Sequence, residues 1–204
     1  MENRLKTLTD NFISKNIDVK VFDNIDYATD YILSSIPTDM TVGIGNSRTL
    51  KDMNISQKLS SRGSIVYDKT MAREKEEIIQ IKKKSLTCDY YITSSNAVSS
   101  DGHIVNIDHS GNRVAAMIFG PDKVFVVIGT NKIVSTLAEA KYRTRNVSAP
   151  LNAKRAGYNP PCIEVGHCVD CKSPERVCYN HVVIEGQHIK DRLTLIVIKD
   201  NLGF

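Results

Sequence analysis

The chain has 204 residues, 41% of them hydrophobic and 25% charged, with 27 basic and 23 acidic side chains and a formal net charge of +4. That is enough chain to bury a core without staples. The mixed-sign surface lacks any arginine-rich run interleaved with aromatics, which argues against a nucleic-acid partner. No apolar run approaches membrane-spanning length and the N-terminal stretch has no apolar signal core, so the expectation is a cytoplasmic protein with no membrane partner.

In residues 2–16 the apolar positions Leu5, Leu8, Phe12 and Ile13 recur at helical spacing. A short strand follows at 18–22, then a helix capped near Asp23 or Asn24 that Pro37 stops. Residues 41–45, "TVGIG", read as a strand running into glycines, with another helix starting in "SRTLKDMNI". A third strand spans 64–68. The helix expected over 70–89 is acidic early and basic late, as its macrodipole favours, and "IKKKS" at 81–85 looks like its charged end. Residues 90–96 give a fourth strand. Asp101-Gly102 and Ser110-Gly111-Asn112 are turn signals flanking a short strand at 103–108. "KVFVVIG" at 123–129 is a buried, β-branched strand, and 135–147 is a helix. Pro150 begins a loop-rich tail that carries the cysteines, and 192–200 closes as a strand.

Strands alternating with helices imply an α/β fold with a largely parallel sheet flanked by helices. No repeat or linker interrupts the pattern. A single domain is expected over 1–204, with a cysteine-rich C-terminal appendage at 160–180.

Three stretches carry chemistry. In "VGIGNSRTL", Gly43 and Gly45 allow a tight turn and close approach to a ligand. Ser47 and Thr49 can cap the next helix, whose first amides receive anions, and Arg48 adds a positive charge. Phosphate or carboxylate binding is the sharp reading. A plain strand–helix turn is the bland one, and spacing alone favours it, because neither G-x-G-x-x-G nor a P-loop lysine is present. The second stretch, from Ser94 to Lys132, holds Asn96, Asp101, Asn106, Asp108, Asn112, Arg113 and Lys132 near strand ends, where ligands of open α/β sheets bind. Asp101 and Asp108 could serve as acid, base or metal ligand, or simply as turn residues. The third stretch runs from Cys162 to Cys178. Cys162, Cys168, Cys171 and Cys178 are spaced C-x5-C-x2-C-x6-C, and Cys88 stands apart. Tetrahedral zinc or an iron–sulfur cluster suits four such thiols in a reducing compartment, with His167 as a possible alternative ligand. Disulfides and a Cys168/Cys171 redox pair are the other readings.

Three segments, "VGIGNSRTL", "TSSNAVSSDGHIVNIDHSGNRVAAMIFGPDKVFVVIGTNKI" and "APLNAKRAGYNPPCIEVGHCVDCKSPERVC", together resemble the lactate-utilization (LUD) domain family. The likeness is to its short branch, formerly a domain of unknown function, and covers nearly the whole chain. It implies a fold similar to ribose-5-phosphate isomerase, the glucosamine-6-phosphate deaminases and the CoA transferases. In those proteins a glycine-rich turn holds a phosphate or an acyl-CoA-derived group. The resemblance therefore favours the anion reading for Gly43, Gly45, Asn46, Ser47, Arg48 and Thr49, without transferring a reaction.

Larger members belong to an iron–sulfur complex that oxidises lactate to pyruvate, so complexes with other lactate-utilization subunits, or a homo-oligomer, are the expected assemblies. The C-x2-C-x2-C-x3-C-P run of such clusters is absent here, and no glutamate can be placed as a CoA-transferase nucleophile. Two functions stand at this point. One is an enzyme or subunit of lactate or organic-acid utilization that binds a small anionic or phosphorylated molecule. The other is a non-catalytic ligand-binding or regulatory module that uses the cysteine site to sense metal or redox state.

Overall fold

The computed structural model describes residues 2–204. Helix α1 (Glu2–Ile13) turns Leu5, Leu8 and Phe12 inward. After β1 (Ile17–Phe22), the Asn24 side chain accepts from the Tyr27 amide at 3.0 Å and so starts α2 (Ile25–Ser35). Strand β2 (Thr41–Ile44) leads through the glycine loop into two short helices, α3 (Arg48–Asp52) and α4 (Ile55–Ser61). Then come β3 (Ile65–Asp68), α5 (Lys75–Lys84) and β4 (Tyr90–Thr93). Helix α5 is shorter than the expected 70–89. The Asp68 carboxylate accepts from the Thr70 amide and hydroxyl, both at 2.8 Å, and holds a turn where the helix would have begun.

The expected strand at 90–96 stops at Thr93. The chain leaves the sheet there and resumes as β5 (Ala97–Ser99), which pairs with β6 (His103–Asp108). Ser95 secures this crossing with its hydroxyl, whose one proton is shared between the carbonyls of Ala97 and Val105 at 2.9 and 3.1 Å. Gly111, at φ 80°, precedes α6 (Asn112–Ile118), a helix that the turn signal at 110–112 hid.

Strand β7 (Lys123–Gly129) is followed by a 3-10 turn at Thr130–Lys132, then β8 (Ile133–Val134) and α7 (Leu137–Arg143). The helical path does not end near residue 147. A wide π turn at Thr144–Ser148 carries it into α8 (Ala149–Arg155), with Pro150 in the first turn, where a missing amide costs little. A single turn, α9 (Cys162–Val165), and two strands, β9 (Asn180–Ile184) and β10 (Leu193–Ile198), complete the chain.

Six strands form a wholly parallel sheet in the order β1-β10-β7-β4-β2-β3. Its central strands alternate faces. Val124, Val126, Ile128, Leu193, Leu195 and Val197 pack against α1 and the inner face of a second sheet. Phe125, Val127, Ile196 and Ile198 face α2 and α4. The second sheet, β8-β5-β6-β9, is mixed, with β5–β8 parallel and β5–β6 and β6–β9 antiparallel. Ala97 and Val105 on its outer face pack against Ala140 of α7. Because the large sheet is parallel, the ends of β2, β4 and β7 open together on one edge, and the loops that follow them converge there.

Candidate anion-binding cleft

A cleft of about 290 Å³ lies on that edge. Asn46, Ser47 and Arg48 form one wall after β2; Ser94–Asn96 come in after β4, Lys132 after β7, and Asp108 from the end of β6. Lys69 after β3, Lys82 on α5 and Arg155 on α8 add charge from outside these strands. Arg48, Lys69, Lys82, Arg113, Lys132 and Arg155 thus line it against one acidic side chain, Asp108, with the C-terminal Phe204 at its rim.

Lys132 is 3% exposed. Its ammonium donates to the Ser94 hydroxyl at 2.9 Å and to the Thr49 hydroxyl at 3.3 Å, which leaves one of three donors free. Among the described residues it makes no ion pair. Burial, and then the charges of Arg143 and Arg113, bring its pKa down to about 7. Burial, followed by the neighbouring Lys82, also lowers Lys69, and burial lowers Arg155. Burial is the first cause in all three, so each of these cations is held partly away from water.

Arg113 lies at the start of α6, and all five of its donors are spent. They reach Asp108 Oδ1 (3.1 Å), the Ser94 carbonyl (2.8 Å), Asn106 Oδ1 (2.6 Å), Asn96 Oδ1 (3.1 Å) and the Ile107 carbonyl (2.8 Å). It ties β4, β6 and α6 together and contributes charge rather than free hydrogen bonds. Asn96 is likewise engaged, its Oδ1 also accepting from the Ile107 amide at 3.0 Å. Asp108 differs: no donor among the described residues reaches its buried Oδ2.

The glycines serve packing more than the ligand. A Cβ at Gly43 would come within 2.8 Å of the Tyr91 ring and 2.9 Å of Cys88 Sγ, and one at Gly45 within 2.9 Å of Thr93 Cβ. The Gly45 amide is already used, donating to the Ile92 carbonyl at 2.8 Å. Gly43 lies away from the cleft, and Gly45 faces a second hollow of about 210 Å³ on the other side of the loop. Thr49 is buried under Lys132. Ser47 precedes α3 but makes no capping bond, and α3 has only five residues, so side chains supply most of the positive field.

Arg48 is exposed and paired with Asp52 at 2.8 Å, while Asn46 accepts from Arg155 at 3.4 Å. Asn112 lines the cleft and accepts from Ser110 at 2.8 Å. Asp101, by contrast, serves its turn: it bonds Ser99, His103 and the Leu137 amide. The residues that sequence reasoning passed over are Lys69, Lys82 and Arg155. Lys82 belongs to "IKKKS", where its helix places it beside Ser110 at 3.3 Å.

The cysteines lie behind the cleft wall. Cys162, Cys168, Cys171 and Cys178 all line one small cavity of about 20 Å³, together with Arg145, Arg176 and His181. All are free thiols. Burial raises the Cys162 pKa, as do the nearby thiols of Cys171, Cys178 and Cys168. Among the described residues, no three His, Cys, Asp or Glu side chains stand in metal-coordinating geometry. His167 points elsewhere, bonding the Val165 carbonyl at 3.1 Å, and His181 takes its place at the cavity. Cys88 is buried in the main core, where its pKa is pushed up to about 11.

No helix among the described residues is long and apolar enough to cross a membrane. No curated protein matches the chain. Among solved structures, a DUF162 family protein from Deinococcus radiodurans is similar at a TM-score of 0.57 and 14% identity, with 97% of each chain covered. Ribose 5-phosphate isomerase A from Methanocaldococcus jannaschii aligns at a TM-score of 0.39 and 13% identity over 63% of each chain. Its counterpart from Neisseria gonorrhoeae aligns at 0.37 and 14%, over 81% of this chain and 76% of that one. The LUD domain family matches residues 5–198, and the chain belongs to that family.

Proposed function

We propose that this LUD-domain protein binds a small, multiply anionic molecule, carboxylated or phosphorylated, in the cleft around Lys132, as a subunit or accessory enzyme of organic-acid utilization. One observation carries the reading: a buried lysine with a free donor and no carboxylate partner, among five further cations. Such an amine is stabilised in its charged form when an anion arrives. Asp108 adds polarity of the opposite kind. Its unpartnered Oδ2 accepts a hydrogen bond, which suits a ligand carrying a hydroxyl beside its anionic group.

Thermal unfolding with inorganic phosphate, a sugar phosphate, a hydroxy acid and CoA tests this. At least one should raise the midpoint of the wild type by several degrees, with Lys132→Met losing most of that rise. No shift from any of them, or the same shift in the variant, removes the support.

A further inference from the structure

We propose that Cys162, Cys168, Cys171 and Cys178 bind one thiophilic divalent cation of the zinc class, which fixes the segment forming the back wall of the cleft. Four cysteines from a stretch with almost no core of its own line one cavity; in residues 157–179 only Pro160 and Val177 are buried. The turns needed to bring them there are in place. Gly166 and Asp170 take left-handed conformations at φ 79° and 49°, and the thiol of Cys168 accepts from the Asp170 amide at 3.4 Å.

Arg176 then clasps the far side, donating to the carbonyls of Cys171 (3.3 Å) and Cys178 (2.9 Å). The thiols ring the cavity without yet standing in coordinating geometry. Each sulfur is carried by one torsion with staggered positions, so side-chain rotation can turn it toward an ion in the cavity.

Size and charge suit a single ion. The cavity, about 20 Å³ as the thiols now stand, has room for one. Four thiolates around a divalent cation leave a net charge of −2. Arg145 and Arg176 line the same cavity, and Arg176 Nε is buried without a partner. Coordination consumes thiolates, so loading releases protons and strengthens as pH rises.

The consequence reaches the cleft, because Val177 and Ile107 line both cavities, and Tyr158, at the head of the cysteine segment, lines the cleft beside His109. The ion would therefore stiffen one wall of the anion site without touching the ligand.

Cobalt(II) titration of the reduced, full-length protein under anaerobic conditions tests the site directly, without any anionic ligand. The expected result is saturation at one equivalent with intense thiolate-to-cobalt charge-transfer bands and strong tetrahedral d–d bands, reversed by zinc. Cys171→Ser should lower the affinity by more than tenfold, and hydrogen exchange should slow across 157–179 on loading.

Weak octahedral bands, no saturation, or unchanged exchange in that segment would overturn the proposal. So would anaerobic iron and sulfide giving a chromophore that survives desalting while cobalt fails. The wild-type spectrum decides even if the serine variant does not fold. Because it is read without anions, it can fail while the anion reading stands, or the reverse.

Discussion

Lys132 works by being held away from water with too few partners. Its pKa of about 7 in the folded chain lies below the ordinary lysine value of 10.5, which the unfolded chain keeps. Between these values the unfolded state binds the extra proton. Stability from this site is therefore fully present above pH 10.5, is lost as pH falls toward 7, and is flat below that. Denaturant unfolding of wild type and Lys132→Met across that window should show the wild type gaining on the variant as pH rises; a pH-independent difference would refute the burial argument. Arg113→Lys should cost about 1–3 kcal/mol, because one ammonium cannot replace five donors around buried Asn106, and circular dichroism melts check it. Gly45→Ala should cost about 1–3 kcal/mol through overpacking against Thr93, even with no ligand present. Residue type made Asp108, Arg113 and Lys132 legible in the sequence, since polar groups near the ends of apolar strands are few. It could not separate Arg113, which is consumed by scaffolding, from Lys132, which is not. That difference is set by which carbonyls and hydroxyls come within reach.

At the level of elements, strong periodicity was readable and weak periodicity was not. Helix α1 and strands β7 and β10 follow their patterns because long apolar faces meet one core. Phe12 is fully buried between α1 and the large sheet, so Phe12→Ala should cost about 3–5 kcal/mol in urea unfolding; a loss under 1 kcal/mol would mean that the helix is not docked as described. Helix α6 and strands β5, β8 and β9 are short, and their pairing is set by tertiary contact, so no local pattern announced the second sheet. Pro150 read as a stop because the π turn before it, which brings Arg143 against Asn96 and Ser148, has no sequence signature. Lys69, Lys82 and Arg155 went unread for the same reason. They belong to a turn and two helices that only the assembled fold brings to the cleft.

For the whole molecule, a parallel sheet concentrates function at one edge. Every βα crossover returns the chain to the same end, so polar loops gather at the carboxyl ends of apolar strands. Here that gathering gives a cationic cleft with one acidic side chain, backed by a thiol-lined segment. The chain belongs to the LUD family, and the charge of the cleft is the ground for the anionic ligand proposed above. Calorimetric titration with sulfate, an anion whose own charge does not change near neutrality, tests whether Lys132 makes an anion site. At about pH 6 the wild type should bind one sulfate, and Lys132→Met should bind it about tenfold or more weakly, the worth of one charged hydrogen bond. At about pH 8.5 the wild type should lose most of that advantage as the amine deprotonates. Equal affinity of the two proteins at the lower pH, or wild-type affinity that ignores pH, would contradict an anion site built on Lys132.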